Sequence, residues 1–419
     1  MKVLHLSTSD SGGGAFNAAR RLHQGLQVQG AESGMLVQTT TGSDTRVTAK
    51  LPRHGQQFAF LRYFLDALPA LASRRGRGGT FTPAFLPDSL AGDVGLAAPD
   101  LVHLHWVAGG FLRLETLARL KRPLVWTLHD SWPFTGGCHV PQECRRYMDS
   151  CGACPQLSSR HEFDLSRMVW NRKQKAWRQL SLALVAPSRW MARCAGDSSL
   201  FRERRIEVIP NGLDLESVHP VDKVEARRAL GLPEDRQLVL FGAVRGLSDS
   251  NKGAQYLVPA LEKLARAGLG QKVELLVFGR DVPEQTLDLG LPTRYLGYFE
   301  NQQDLNRLYS AADLFLAPSR QENLPCTVME AMACGTPCVG FDIGGMPDLI
   351  THGVDGYLAR PFSPESLAEG MVWLLSAAEG GAPLRKACRL KVETQFDIRL
   401  CAQRHLDFYR DILAGGTAG

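Results

Sequence analysis

Residues 313–347 read DLFLAPSRQENLPCTVMEAMACGTPCVGFDIGGMP. The short apolar run Leu314, Phe315 and Leu316 reads as a buried strand, and Pro318-Ser319 stops it. Glu322 and Glu330 follow, the second inside a helix-forming segment that ends at Gly335. In doubly wound α/β sheets, ligands bind in the crevice outside the carboxyl ends of the strands. Two carboxylates placed where a strand ends are therefore predicted to contact a ligand rather than bulk water.

The pattern around this stretch is repeated strand and helix. Strands are predicted at 238–241, 273–278, 293–296 and 314–317, with helices at 254–267 and 303–311, which implies a parallel sheet. The loop 242–253 leaves a strand on the same edge as Glu322 and carries Arg245 and Lys252. Two cations there suit a diphosphate, Arg as a planar fork and Lys as a point charge; the alternative is a solvated loop. A second such unit opens the chain. Strand 3–6 leads through Gly12, Gly13 and Gly14 into a helix with Ala15, Ala18, Ala19, Leu22 and Leu26 on one face, an arrangement that lets an anion or sugar approach the main chain. Asn17 stands where a dinucleotide fingerprint has its third glycine, which argues against a nicotinamide site and leaves a plain tight turn as the alternative. Strand 124–128 runs into His129-Asp130, placing a histidine at the rim of a ligand crevice with an acid to flank it or fix its tautomer. His103 and His105 alternate with Leu104 on another strand and are assigned supporting polar roles. The expected organisation is a domain over 1–205, a second over 206–395, and a terminal helix and tail over 396–419.

A chain of 419 residues with 44% hydrophobic content supports two or three cores. A net charge of +5 is too mild for a nucleic-acid binder. No signal segment precedes the first strand, and no apolar run reaches the ~18–20 residues of a spanning helix, so a cytoplasmic protein is expected. Residues 57–79 combine an apolar helix with Arg62, Arg74, Arg75 and Arg77. This suits peripheral contact with the inner membrane, the alternative being a core helix followed by a loop. Residues 136–156 hold Cys138, Cys144, Cys151 and Cys154. The last pair has knuckle spacing, and a loop so short is expected to lack its own core, so structural zinc is weighed against free thiols and a disulfide.

Together these motifs resemble the family 4 retaining glycosyltransferases of GT-B fold, over nearly the whole chain. The paired glutamates with the following Glu330-Ala331-Met332-Ala333-Cys334-Gly335-Thr336-Pro337, the Asn211-Gly212-Leu213-Asp214 exit, Lys252-Gly253 and the glycine triplet carry the likeness. The run 127–139 and the later cysteines resemble a bacterial surface-polysaccharide branch of colanic-acid type. The resemblance implies two Rossmann-like domains facing across a cleft, with the C-terminal helix packing back toward the N-domain. Glu330 would accept from the ribose hydroxyls of a UDP- or GDP-sugar, and Glu322, with the backbone of Asn323 and Leu324, would hold the donor sugar. Arg245 and Lys252 would stabilise the leaving diphosphate, Gly13 or Gly14 would admit it, and His129 would touch the sugar near its reacting carbon. Asn323-Leu324-Pro325 departs from the family's usual Gly-Phe-Gly. No metal or cofactor is expected at the phosphates, and the acceptor would be a glycan, lipid-linked or soluble. The competing functions are a sugar-nucleotide epimerase or hydrolase and a catalytically silent nucleotide-sugar-binding subunit.

Overall fold

The computed structural model describes residues 1–51, 55–73, 79–242, 250–270, 272–280, 290–377 and 381–415. They form two compact units, Met1–Gly212 with Ile398–Gly419, and Leu213–Asp397. The first sheet contains β1 (Lys2–Ser9), β2 (Glu32–Thr39), β3 (Val47–Ala49), β4 (Leu101–Leu104), β5 (Leu124–Thr127), β6 (Leu182–Ala186) and β7 (Ile206–Val208), in the order β3-β2-β1-β4-β5-β6-β7. The expected boundary after residue 205 is corrected by β7, which pairs in parallel with β6 and so belongs to this sheet. Strands β5 and β6 are buried along their whole length and apolar but for Thr127, as expected of parallel strands covered on both faces.

Helices α1 (Gly14–Val28), α2 (Gln56–Ser73), α3 (Leu90–Ala97), α4 (Leu165–Trp177) and α5 (Arg189–Asp197) belong to this unit, as does the C-terminal helix α13 (Ile398–Leu413). Helix α13 buries Ile398, Cys401, Ala402, His405, Leu406 and Tyr409, at the three- and four-residue spacing of one helix face. It packs on α1 at Gly25, where a Cβ would lie 2.7 Å from Ile398 Cγ1, so only glycine lets the two helices come this close. Helix α2 leaves an apolar surface open, with Phe58 62% and Phe60 71% exposed. Arg62 does not join a lipid-facing fringe there, because its guanidinium donates to Gly110 O at 2.7 Å and Pro87 O at 2.8 Å. Arg74, Arg75 and Arg77 lie outside the described residues. Among the described residues no helix is long and apolar enough to cross a membrane.

The second unit contains β8 (Gln237–Gly242), β9 (Val273–Phe278), β10 (Thr293–Gly297), β11 (Leu314–Ala317), β12 (Cys338–Phe341) and β13 (Gly356–Ala359), all parallel, in the order β10-β9-β8-β11-β12-β13. Around this sheet lie α6 (Lys223–Ala229), α7 (Ala254–Leu264), α8 (Gln302–Ala311), α9 (Cys326–Ala333), α10 (Met346–Leu349), α11 (Pro364–Ala377) and α12 (Ala382–Gln395). Buried Asp313 fixes the start of β11 against β8, accepting from Leu238 N at 2.6 Å and Arg227 Nη2 at 2.7 Å, with Lys223 also paired to it. The strand order reverses between β8 and β11, and a doubly wound sheet opens its ligand crevice at that switch point.

Candidate active site

Both loops that matter in the second unit leave the sheet at this switch point. The loop after β8 ends at Lys252-Gly253, where α7 begins; the loop after β11 holds Glu322. Gly253 has φ +75°, and a Cβ on it would lie 1.8 Å from Pro318 O. The two loops therefore touch only because residue 253 is glycine. Asn251 Nδ2 donates to Gln321 O at 2.9 Å and Arg320 N donates to Asn251 O at 2.8 Å, tying them further. The result is Lys252 Nζ 2.6 Å from Glu322 Oε1, with the two side chains 27% and 14% exposed. Gly344, at φ +55°, seals the other side, since a Cβ there would lie 2.0 Å from Glu322 O, and Gly345 N donates to that oxygen at 3.0 Å.

Glu330 sits on α9, whose Val328, Met329, Ala331 and Met332 are buried in the core beneath. The helix stops in a Schellman turn: Gly335 has φ +77°, its N–H donates to Met332 O, and Thr336 N donates to Ala331 O at 2.8 Å. Glu330 is 8% exposed, and Tyr309 Oη donates to its Oε2 at 3.4 Å. Burial raises the Tyr309 phenol well above its usual pKa, and the neighbouring Glu330 adds to this, so the phenol stays a donor. Leu324 is buried and Asn323 half-buried beside Glu322. Pro325 caps α9 in extended geometry, its carbonyl accepting from Val328 N and Met329 N at 3.2 Å. Arg245 lies outside the described residues.

In the first unit, Gly13 precedes α1 in an extended conformation, and a Cβ there would make only ordinary contact with Phe16, at 3.4 Å. Packing does not require glycine at this position, and Gly14 opens the helix with no acid in its first turn. His129 follows β5. Its Nε2 hydrogen-bonds His105 Nδ1 at 3.1 Å, and His105 Nε2 reaches His5 Nδ1 at 2.9 Å. His103, in register with His5, bonds Tyr409 and Thr127. Burial lowers the pKa of His129 to about 4, with Asp130 opposing, and burial likewise brings His405 to about 4 and holds His5, His103 and His105 well below the usual value.

Of the two roles expected for Asp130, flanking His129 holds, since its charge opposes the burial effect on that histidine, while fixing the His129 tautomer needs correction. The Asp130 carboxylate accepts from His139 Nδ1 at 2.7 Å, Trp106 Nε1 at 2.8 Å and Trp132 N at 2.9 Å, while the His129 Nε2 bonds His105. Burial pushes the Asp130 carboxyl up, but the His139 charge and these donors outweigh it and leave its pKa lowered.

The cysteine-rich insert has a core, contrary to expectation. Cys138 and Cys154 pack with Phe81 and Leu157, and Cys151 joins the main core of the unit. Gly136 and Gly152 each face a carbonyl oxygen 2.3 Å from where a Cβ would sit. Lys173 is fully buried beneath, its ammonium donating to Trp132 O and Thr135 O and lying 4.2 Å from the Trp132 ring centroid; burial lowers its pKa to about 7. All four thiols are free. Burial raises Cys138, and the charges of Cys151 and Cys154 add to it, while burial pushes Cys151 up to about 11. The donors suit a soft divalent ion: Gly136 N points at Cys151 Sγ at 3.1 Å, and the Gln156 and Leu157 N–H groups favour the Cys154 thiolate. No three of the four sulfurs lie within 4.8 Å of one another. Among the described residues the group of three or more ligand atoms all within 4.8 Å of one another is His5, His103 and His105.

Residues 12–217 match the family described as Glycosyltransferase Family 4, and residues 236–377 match Glycosyl transferases group 1. The chain belongs to the group 1 and family 4 glycosyltransferases. This glycosyltransferase is 27% identical over 345 residues to D-inositol 3-phosphate glycosyltransferase of Saccharomonospora viridis, across 76% of the chain and 72% of that protein. The enzyme of the same name from Segniliparus rotundus is 33% identical over 230 residues, and there the chain spans about half of its relative, 49%. Its fold matches sucrose-phosphate synthase of Thermosynechococcus elongatus, with a TM-score of 0.69 at 18% identity over 99% of this chain and 100% of that one. It also matches Anabaena HepE, solved with UDP and glucose, with a TM-score of 0.64 at 20% identity over 98% and 99%. Both likenesses bear on the fold, which is GT-B.

Sequence reasoning missed Asn251, Tyr309 and His5; the supporting polar role expected of His105 is the one it takes, between His129 and His5. The only written signals were a polar residue beside Lys252-Gly253 and histidines on otherwise apolar strands.

Proposed function

We infer that this glycosyltransferase moves a sugar, with retention of configuration, from a UDP- or GDP-sugar to a glycan acceptor, in the assembly of a bacterial surface polysaccharide. The observation that carries this reading is the Lys252–Glu322 pair at the switch point, 2.6 Å apart, with Glu330 on the helix that follows. In the proposed reaction Glu330 binds the ribose hydroxyls, and Glu322 with Asn323 and Leu324 binds the sugar. Breaking the bond to the anomeric carbon places negative charge on the β-phosphate, which Lys252 and Arg245 stabilise. Gly13 or Gly14 admits the diphosphate, and His129, kept neutral by burial, offers the sugar a hydrogen bond without adding charge near its cationic carbon. The leaving phosphate takes the acceptor proton, so the reaction asks for no protein base and no metal at the phosphates. A UDP-sugar or GDP-sugar incubated with the enzyme is expected to be cleaved with retention, as read by NMR of the first-formed sugar anomer, and transferred when acceptor is present. Cleavage that acceptor does not divert would favour a hydrolase, an interconverted donor an epimerase, and binding with no turnover a silent subunit.

We also infer that Cys138, Cys144, Cys151 and Cys154 hold a structural zinc, on the strength of the Gly136 N–H aimed at the Cys151 sulfur and of the Leu157 and Gln156 backbone groups that favour the Cys154 thiolate. Protein purified without chelator is expected to carry about one equivalent of zinc and to lose first-unit stability when it is stripped. Less than about half an equivalent by metal analysis counts against it.

A further inference from the structure

We propose that a cavity in the first unit, at the carboxyl end of β2, binds one neutral sugar ring of the acceptor; the word acceptor here rests on the transferase reading above. The cavity measures about 280 Å³ and is lined by Gln38, Leu51, Arg62, Pro87, Leu90 and Phe111, together with Lys50, Asp88 and Ser89. It lies just under the ~300–1,000 Å³ range of ligand pockets, a size for a single ring rather than a nucleotide.

Its decisive group is Gln38. This side chain occupies the β2 position two residues beyond Leu36, on the face that carries the core, and is 2% exposed. Neither its amide nitrogen nor its amide oxygen has a hydrogen-bond partner among the described residues. Leaving such a group unmade is costly, and an apolar side chain of similar size would avoid the cost, so a glutamine here points to a ligand that completes it.

The charged groups of the lining are already committed. Lys50 Nζ pairs with Asp93 at 2.6 Å, and Arg62 holds the carbonyls of Gly110 and Pro87. Asp88 accepts from Arg113 N at 2.7 Å, Thr116 Oγ1 at 2.9 Å and Leu90 N at 3.0 Å. Among the described residues of the lining, a phosphate would find no uncommitted cation. The Ser89 hydroxyl donates to Asp93 at 3.4 Å, and what remains wholly unmade is one amide, offering a donor and an acceptor together, which is what neighbouring hydroxyls of a sugar take up. Leu51, Pro87, Leu90 and Phe111 supply the apolar wall on which the C–H face of a ring rests.

The test uses the full chain with UDP and a panel of methyl glycosides of common hexoses, 6-deoxyhexoses and N-acetylhexosamines, observed by saturation-transfer NMR. At least one glycoside is expected to receive saturation from the wild type, and Gln38→Met is expected to weaken that binding roughly tenfold. The variant keeps the volume, so its melting temperature is expected to equal or exceed that of the wild type; this separates lost binding from lost folding. The inference is overturned if no glycoside binds the wild type, or if Gln38→Met binds as tightly. Cleavage of a UDP-sugar or GDP-sugar, followed in parallel samples with that donor in place of UDP, reports on the transferase reading separately: its absence with both donors, with glycoside binding still dependent on Gln38, sinks that reading and leaves a sugar site.

Discussion

Replacing Lys252 with alanine is expected to lower the rate of donor cleavage and transfer by about 10²–10³-fold, some 3–4 kcal/mol of transition-state stabilisation. The lysine stands at the switch point of the second sheet, where the loops after β8 and β11 meet, and Gly253 and Gly344 hold those loops with clearances that no other residue permits. Without ligand its charge is spent on Glu322 at 2.6 Å. A diphosphate developing charge offers a stronger partner, so the ammonium does more in the transition state than in the free enzyme, which is the condition for an effect on kcat. The pair is partly exposed, so breaking it is expected to change folding stability little. Steady-state kinetics with a matched melting curve separates the two effects. Turnover within about threefold of wild type would remove Lys252 from the chemistry.

The second large effect concerns pH. His129 and His405 have folded pKa values of about 4, and His5, His103 and His105 lie well below their usual value, all chiefly through burial in the first unit. In the unfolded chain each titrates near 6.5. Between these values the unfolded state binds more protons than the folded one. Their contribution is therefore intact above pH ~6.5 and is lost progressively as pH falls toward 4. Each such histidine costs about 1.4 kcal/mol per pH unit, so His129 and His405 alone make roughly 3 kcal/mol per unit, a large share of the ~5–15 kcal/mol a typical domain has. Trp106, Trp126, Trp132, Trp170, Trp177 and Trp190 lie in this unit and Trp373 in the other, so tryptophan fluorescence follows the relevant transition. Its urea midpoint is expected to fall steeply from pH 6.5 to 5, with proton uptake on unfolding. A midpoint unchanged over that range would contradict the buried, neutral histidines.

The architecture was legible in the sequence because parallel strands buried on both faces read as apolar runs, and glycine, proline and acid punctuation marks their ends. Leu314, Phe315 and Leu316 followed by Glu322 located one edge of a crevice before any fold was known. What stayed hidden depends on tertiary proximity. Nothing local tells that Lys252, 70 residues before Glu322, comes to pair with it, because the close approach is set by Gly253 against Pro318. Asp130 lies next to His129 in the chain, yet the backbone turns its carboxylate toward His139 and Trp106. The short β7 is legible as a strand at Ile206–Val208, but the turn and exit after it read as the crossing between domains, and pairing with β6 alone assigns it to the first sheet. The insert was read as coreless because Phe81, which packs with its cysteines, lies far upstream.

The reading of this chain as a retaining transferase using a nucleoside diphosphate sugar stands most directly on the anomer it makes. Proton NMR of an α-linked UDP-sugar or GDP-sugar, recorded as the enzyme cleaves it and before mutarotation, is predicted to show the α sugar first, with the α linkage in any product formed when acceptor is added. First appearance of the β anomer would contradict the account, as would failure to cleave either class of donor.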